Sequence, residues 1–340
     1  MVFVRTELTT DNAGDWLERL SVCAPEDIIS VELLGWGISN TLVKVVTDTS
    51  AFVIKQSLPQ LNVEDEWLAD VDRIHNEKIC IDLLAPVITS GSVPSVLGYD
   101  PDNYLFVMTC APESGVNWKE NLLTGNVSPA LAGKAGQILG EIHMFSFSNE
   151  NVRTLFANDK SFVQLRVEPY YYFTASKHQD VANIIFDHAQ GLLSNKLVLV
   201  HGDYSPKNFI VHQSDLILLD FEVAHYGNPV FDLAFMLNHL FLKSIHNGSN
   251  QDLYFEAASK YLQDYRQVVS ANPLLRSYSD ENCKELLVQL GCLMLARIDG
   301  KSPVEYIVDI DVQDRVRFIA KEIISGKCSD IVSVMNLISQ

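Results

Sequence analysis

Two short polar segments, each preceded by an apolar run, constrain this chain more than any other feature of its sequence. The first apolar run, 197–200 (LVLV), leads into 201–208 (HGDYSPKN), and the second, 216–219 (LILL), leads into 220–222 (DFE). Short apolar runs bounded by turn residues are typical of buried strands. The sequence therefore predicts a pair of short strands, separated by a loop, whose ends present carboxylate and amide side chains.

The residue types in these two segments suit phosphoryl transfer. That reaction needs a carboxylate that orients the attacking hydroxyl and accepts its proton, and oxygen ligands that hold Mg²⁺ on the phosphates. Asp203 is the candidate catalytic base, Asn208 a neutral metal ligand and Asp220 an anionic one. Asp and Asn are also common turn residues. Their joint occurrence in the order of the kinase template nevertheless predicts an enzyme that uses ATP and Mg²⁺.

The same template predicts a lysine on the third strand and a glutamate on the helix that follows. Lys55 ends the third strand-like segment of the chain. Its candidate partners are Glu64, Glu66 and Glu77, which all lie in a segment with helical spacing over 64–84. Glu77 lies deepest in that helix and is the predicted partner.

Two further segments are candidates for nucleotide contacts. Gly35, Gly37, Ser39 and Asn40 lie in the turn between the first two strands, where Asn40 replaces the last glycine of a phosphate-binding G-x-G-x-x-G pattern. An ordinary glycine hairpin is the alternative reading of that turn. The strand near 104–108 and the residues after it predict a connector whose backbone binds adenine; these residues are Met108, Thr109, Cys110 and Ala111.

The order of predicted elements gives the architecture. Strand patterns occupy 28–35, 41–48 and 51–56. Helical patterns dominate from Ser128 onward, beginning with a helix that has Ser128 as N-cap and Pro129 as first residue. The segment 197–222 is the exception. We therefore predict an α+β, protein-kinase-like two-lobed fold with an antiparallel β-rich N-lobe and a mainly helical C-lobe. The predicted domains are an N-terminal helical extension (1–27), the nucleotide-binding N-lobe (28–112) and the C-lobe with the catalytic and metal loops (113–340).

Composition excludes some partners. The net charge of −18 argues against nucleic acid and anionic membranes as partners, because both attract clustered Lys and Arg. The first residues do not resemble a signal peptide, and no apolar run is long enough to span a membrane. Six scattered cysteines suit reduced thiols. A cytoplasmic protein is expected, and both a monomer and a homodimer are compatible with the sequence.

Taken together, these motifs resemble the aminoglycoside phosphotransferase and choline kinase superfamily, whose members are small-molecule kinases with the protein-kinase fold. HGD in place of the protein kinases' HRD, and the lack of an APE segment, favour this group over protein kinases. The sequence is most similar in appearance to the 5-methylthioribose kinases, through IKQSLP after the third strand, DFE, and HYGNPVFDLA. The resemblance implies that Glu222 joins Asp220 in binding the metal.

The resemblance also implies a substrate residue. Methylthioribose kinases use two adjacent arginines late in the chain, and the matching pair here is Ala296-Arg297, so only Arg297 carries over. Arg297 is therefore a candidate substrate ligand, with a salt bridge inside the protein as the alternative. A kinase for aminoglycosides or choline-like substrates, and a nucleotide-binding pseudokinase that acts as an interaction module, are the alternatives for the whole chain.

Overall fold

A computed structural model describes residues 5–35, 40–59 and 70–340 of the chain, which folds into two units. The first unit contains Met1–Gly115 and Ile217–Glu222, and the second contains Val116–Leu216 and Val223–Gln340. Residues 217–222, which the sequence places in the helical lobe, thus belong to the first unit. The N–H of Leu218 donates to the carbonyl of Ser92 at 2.7 Å, which holds this segment there.

The first unit is built on one antiparallel sheet with strand order β1-β2-β3-β5-β4. Its strands are β1 (Ile28–Leu34), β2 (Asn40–Thr47), β3 (Ala51–Ser57), β4 (Val96–Asp100) and β5 (Leu105–Thr109), and its helices are α1 (Ala13–Arg19) and α2 (Arg73–Leu84). These elements confirm the three predicted strands and the short N-terminal helix. The helix predicted from residue 64 begins at Arg73, because residues 70–72 form a turn and 64–69 lie outside the described part of the chain.

Because side chains alternate along β3, the two faces of the sheet differ in character. Ile54 is buried in a cluster that includes Trp16 and Leu17 of α1 and Val43 of β2. Successive side chains of a strand point to opposite faces, so Lys55 leaves the other face, where α2 lies. One face of the sheet therefore supplies the core under α1, and the other carries a charged residue.

The second unit is mainly helical. Its helices are α3 (Trp118–Leu123), α4 (Pro129–Ser146), α5 (Glu150–Leu155), α6 (Lys160–Phe162), α7 (Phe173–Lys177), α8 (Ala182–Ser194), α9 (Val230–His246), α10 (Gln251–Val268), α11 (Pro273–Tyr278), α12 (Lys284–Asp299), α13 (Ile310–Ile324) and α14 (Ile331–Ser339), with a π-helical stretch at Val163–Tyr172. The helix predicted to begin with Ser128 as N-cap and Pro129 as first residue is confirmed as α4. These two units confirm the predicted α+β class.

The two strands predicted in this region are present, but they do not pair with each other as predicted. The additional strands are β6 (Val116–Asn117), β7 (Val198–Val200), β8 (Phe209–His212), β9 (Asp215–Leu218) and β10 (His225–Gly227). The run before HGD is β7, which pairs with β10, whereas the run before DFE is β9, which belongs to a sheet with order β6-β8-β9. β7 and most of β9 lie in uninterrupted apolar runs, whereas β8 (FIVH) and β10 (HYG) contain or adjoin polar and turn residues, so the sequence pattern assigned them to loops.

Helix α9 forms the centre of the second unit. Every residue from Val230 to Ile245 is buried, including its polar members. Such a helix, covered on all sides, is typical of the interior of a larger domain. The ionisable side chains within this stretch, Asp232, His239 and Lys243, are therefore buried as well.

Candidate active site

The loop 201–208 of the second unit, which contains the predicted base, begins where β7 ends. Gly202 has φ of 78°, and a Cβ at this position would lie 2.8 Å from Val223 Cγ1 and 2.9 Å from Val223 O. Glycine is therefore required by both conformation and space. The Asp232 carboxylate, in the first turn of α9, accepts hydrogen bonds from the backbone N–H groups of His201 at 2.7 Å and Gly202 at 3.0 Å. Asp232 thus fixes the loop.

Asp203, the predicted base, is 4% exposed and lies among hydrogen-bond donors and cations. Its Oδ2 accepts from Asn208 Nδ2 at 2.9 Å and lies 3.0 Å from Arg166 Nη2 and 3.1 Å from Lys207 Nζ. Burial by itself would raise the pKa of Asp203, but the Arg166 and Lys207 charges outweigh it and hold that pKa well below its usual range. The carboxylate is therefore ionised and held in one orientation.

Asn208 is oriented by the same contact. Its amide nitrogen donates to both Oδ2 and the backbone carbonyl of Asp203, each at 2.9 Å. Within the described ranges, the amide oxygen accepts no hydrogen bond. An amide oxygen is a suitable ligand for a hard cation such as Mg²⁺. The local geometry therefore suits the role predicted for Asn208.

Arg166 is a site residue that the sequence did not reveal. It belongs to the π-helical stretch, and its Nε donates to Gly202 O at 2.7 Å while Nη2 pairs with Asp203. It thus contacts both the backbone and a carboxylate of the loop 201–208. Because a single arginine far upstream of the motif carries no local pattern, only the tertiary structure identifies it.

In the first unit, Lys55 lies between two carboxylates. Its Nζ is 2.6 Å from Glu77 Oε2 and 2.7 Å from Asp220 Oδ1. Of the three candidate partners, the structure brings Glu77 to Lys55, whereas Glu64 and Glu66 lie outside the described residues. Burial lowers the pKa of Lys55, but the charges of Asp220 and Glu77 outweigh that effect and raise it, so the ammonium group stays charged.

Asp220 and Glu222 follow β9 in the same unit. Asp220 has φ of 71°, and its side chain is 25% exposed, whereas that of Glu77 is 1% exposed. Glu222 Oε2 accepts from Arg73 Nε at 3.0 Å and from Asn40 Nδ2 at 2.9 Å. Three carboxylates thus face two cations, Lys55 and Arg73. This excess of negative charge suits a metal cation, although the described residues contain no group of three or more His, Cys, Asp or Glu that could hold one.

The structure describes some, but not all, of the other residues that were predicted to contact the nucleotide. Asn40 begins β2 and contacts Glu222, Gly35 is exposed, and Gly37 and Ser39 lie outside the described residues. In the connector, Thr109 N–H donates to Ser95 O and Cys110 N–H donates to Ala51 O, both at 3.0 Å. The Ala111 N–H has no such acceptor in the described part of the chain. Met108, the residue before Thr109 on β5, is 8% exposed.

Arg297, the predicted substrate ligand, lies at the C-terminal end of α12. Its Nη1 donates to Tyr170 Oη and Ser302 Oγ, both at 3.0 Å, and to the Ser302 carbonyl. Burial raises the pKa of Tyr170, but the charges of Arg297 and Arg166 outweigh it and lower that pKa. No carboxylate lies within 4.0 Å of Arg297 among the residues described, so its contacts are neutral rather than ionic.

A buried, ionised aspartate on a strand-to-loop turn, and a Lys-Glu-Asp ion-pair set on an antiparallel sheet, are the local features of the class of kinase-like phosphotransferases. The comparison with protein families agrees: the model of the phosphotransferase enzyme family matches residues 30–268. The chain belongs to this family.

One curated relative is the methylthioribose kinase of Pectobacterium atrosepticum, which is 24% identical over 267 residues. The match covers 69% of this chain and 65% of that kinase, slightly less than two thirds of its length.

No helix in the described residues combines the length and apolar character that crossing a membrane requires.

Solved structures show the same fold. An amicoumacin kinase in complex with AMP-PNP and Ca²⁺ superposes with a TM-score of 0.54 at 18% identity, with 90% of each chain covered. A Ralstonia eutropha JMP134 protein, provisionally described as an aminoglycoside phosphotransferase, gives 0.58 at 16% identity, with 97% of this chain and 98% of that chain covered. An aminoglycoside phosphotransferase from Alicyclobacillus acidocaldarius gives 0.52 at 12% identity, with coverage of 92% and 93%. They confirm the predicted protein-kinase-like fold.

Proposed function

We propose that this phosphotransferase transfers the γ-phosphoryl group of ATP, with Mg²⁺, to a hydroxyl group of a small molecule. The observation that carries the proposal is Asp203, which is buried, ionised and fixed by Asn208 and Arg166. A methylthioribose-like sugar is the first candidate substrate, supported by the likeness to a methylthioribose kinase. An ATP-dependent reaction and six free thiols suit a cytoplasmic protein.

The proposed reaction assigns one task to Asp203. The substrate oxygen attacks the γ-phosphorus, an O–P bond forms, the bond between the γ-phosphorus and the bridging oxygen breaks, and ADP leaves with that electron pair. Asp203 accepts a hydrogen bond from the hydroxyl and then its proton. Because the pKa of Asp203 is low, the carboxylate is a weak base, so it orients the hydroxyl first and takes the proton late in the transfer.

Asn208, Asp220 and Glu222 are the proposed metal ligands. Bound Mg²⁺ would neutralise the charge that develops on the phosphates. The amide oxygen of Asn208, the partly exposed Asp220 carboxylate and the excess negative charge beside Glu222 fit a hard cation. These three residues are proposed from their chemistry and from the family of the chain.

For the nucleotide, we propose that Lys55 contacts the phosphates, held in place by Glu77 and Asp220. In the connector 108–111, Ala111 is the proposed backbone partner of adenine, because the N–H groups of Thr109 and Cys110 already donate within the protein. Gly35, Gly37, Ser39 and Asn40 remain proposed contacts of the phosphates.

Substitution of Asp203 tests the proposal. Release of ADP is measured with methylthioribose, choline, aminoglycosides and sugar alcohols as acceptors. Asp203→Asn should keep ATP affinity and lose about 10²–10⁴-fold in kcat with any accepted acceptor. Asp215→Asn, an exposed aspartate on β9, is the matched control and should retain full activity.

Full turnover by Asp203→Asn would remove this residue from its proposed role. If wild-type protein binds ATP but no acceptor releases ADP above the level of Asp203→Asn, the pseudokinase alternative would be supported.

A further inference from the structure

Lys243 is a buried lysine that forms no ion pair with any of the described residues. It lies on α9 and is 1% exposed. Its Nζ lies 5.1 Å from the centre of the Tyr306 ring. Among the described residues, no carboxylate lies within 4.0 Å of this ammonium group and no side chain or carbonyl accepts a hydrogen bond from it. Burial of an unpaired charge is costly.

The charges around Lys243 are repulsive. Burial first, and then the charges of Lys119 and Arg297, lower the pKa of Lys243 to about 7, and only Glu305 opposes them. Glu305 already forms an ion pair with Lys119. Arg297, which has no carboxylate partner of its own among the described residues, also has a buried Nε without a hydrogen bond. Asp203 and Glu305 are the anions that act on this region, yet among the described residues neither cation has a carboxylate within 4.0 Å.

Polar groups without partners lie in the same region. The Tyr306 hydroxyl is buried and makes no hydrogen bond within the described structure. His239 lies one turn before Lys243 on α9 and is 7% exposed. Burial, followed by the charges of Lys243 and Arg297, lowers the pKa of His239 well below its usual value, so this ring is neutral. Neutral donors and two cations together are the groups that would bind anionic oxygens.

Aromatic contacts connect this region to Asp203. Phe235 lies one turn before His239, and their ring centres are 5.2 Å apart. The Arg166 guanidinium, which pairs with Asp203, lies 5.8 Å from the centre of the Phe235 ring. The Tyr170 ring stacks on Phe235 at 6.1 Å. Because Phe235, His239 and Lys243 are spaced four residues apart, they form one stripe along α9 that begins beside the Asp203–Arg166 pair.

We propose that the molecule phosphorylated by this chain carries an anionic group, a carboxylate or a phosphate, in addition to its reacting hydroxyl. Lys243 and Arg297 bind that group, and His239 and Tyr306 complete its hydrogen bonds. The inference rests on the proposed kinase function. It disfavours methylthioribose itself, which is neutral, in favour of an anionic relative of such a sugar. It also disfavours the cationic aminoglycoside and choline substrates, which the net charge of −18 taken alone would suit.

The test compares acceptors that share a carbon skeleton and differ in charge. One series contains glucose, gluconate, glucose 6-phosphate and glucosamine, and a second contains ribose, ribonate and ribose 5-phosphate. We expect the better anionic member to exceed the neutral sugar about 10- to 100-fold in kcat/KM, as charge-assisted hydrogen bonds imply. The aldonate and the sugar phosphate distinguish a carboxylate from a phosphate as the anionic group.

Lys243→Met should remove this preference while ATP affinity stays unchanged, and Lys243→Gln should do the same if the methionine variant packs poorly. Lys327→Met, which removes an exposed lysine that pairs with Glu322, is the matched control and should keep the preference. A wild-type preference for neutral or cationic members, unaffected by Lys243→Met, would overturn the inference and leave the kinase proposal intact.

If no member of either series is phosphorylated, thermal shifts decide the inference separately from the kinase proposal. The anionic members should then raise the Tm of wild-type protein and of Lys327→Met, but not that of Lys243→Met. Absence of any Lys243-dependent shift with all of these anions would reject the anionic site.

Discussion

Asp203 and Asp220, the two aspartates of the kinase-like motifs, lie in contrasting environments, and this contrast matches their proposed roles. Asp203 is buried and surrounded by Arg166, Lys207 and Asn208, which keeps it ionised and fixed. Asp220 has a left-handed backbone, which costs a non-glycine residue about 1–2 kcal/mol, and its side chain is partly exposed. The first arrangement suits a hydroxyl that must be oriented, and the second suits a cation that enters from solvent.

Lys243 should make stability depend on pH. Its folded pKa of about 7 lies below its ordinary value of 10.5, so the unfolded chain binds more protons between these two values. The destabilisation is complete below pH 7 and declines as pH rises toward 10.5. Lys243→Met should therefore raise the Tm most at pH 6–7, and its advantage over wild type should shrink by pH 9–10. Thermal denaturation across this range measures the difference.

Lys327→Met is again the control, because its exposed ion pair should give a small difference without this trend. If the Tm difference between Lys243→Met and wild type were constant from pH 6 to pH 10, Lys243 would not titrate in this range.

At the scale of elements, the turn after β7 depends on a single glycine. Gly202→Ala would impose a side chain on a backbone with φ of 78° and bring its Cβ to 2.8 Å from Val223 Cγ1. We expect a loss of stability of about 1–3 kcal/mol and a larger loss of kcat, since Asp203 follows directly. Denaturant unfolding and ADP release measure the two effects.

The matched substitution is Gly191→Ala. Gly191 lies within α8, and a Cβ there would meet no atom within 4 Å. Alanine should stabilise that helix by about 0.5–1 kcal/mol and leave activity unchanged. Equal effects of the two substitutions on stability and activity would show that the turn at Gly202 does not require glycine.

The π-helical stretch Val163–Tyr172 is the second element that shapes the site. It contains Pro169, which cannot donate a backbone hydrogen bond, and it carries both Arg166 and Tyr170. π-Helical turns are frequent at functional sites. Here the two side chains, four residues apart, contact Asp203 and Arg297 respectively.

At the scale of the whole molecule, the charge of the chain is distributed unevenly. Acidic residues outnumber basic ones by 43 to 25, yet Arg166, Lys207, Lys243 and Arg297 occur near one another in the second unit. Long-range attraction of a cation to the surface and local binding of an anion are therefore separate properties. Net charge does not predict the sign of a buried site, because burial removes the screening by water.

Binding of nucleotide should stabilise the folded chain only with Mg²⁺. At AMP-PNP concentrations near 100 times its Kd, the stabilisation is about 2.7 kcal/mol, visible as a rise in Tm. Asp220→Ala should abolish this rise. Asp48→Ala, at an exposed turn between β2 and β3, should preserve it. A rise in Tm that is independent of both Mg²⁺ and Asp220 would contradict the metal assignment.

Much of the fold followed from local patterns. Alternation and β-branched residues predicted β1, β2 and β3, and the Ser128-Pro129 start predicted α4, because strand spacing and helix capping involve neighbouring residues only. The Lys55–Glu77 contact also followed, since the motif order indicated the kinase template and the template places that pair.

Other features involve residues distant in sequence. The Asp232 carboxylate is equally suited to capping a helix or to holding a loop, and only the packing of α9 against the β7 turn decided which it does. The partners of β7 and β9 were predicted wrongly for the same reason, since pairing depends on which strand ends meet in space.

By itself, the sequence determined the class of chemistry, because Asp203, Asn208 and Asp220 occur in an order that few other functions require. Lys243 shows what it left undecided. The apolar run around this lysine on α9 was a signal that it would be buried, but the lack of an anion beside it was not visible in any local pattern. Only the tertiary structure decided which charges surround Lys243, because these charges come from helices and loops that are far apart in the chain. The combined charge of these neighbours determines which ligand the region favours.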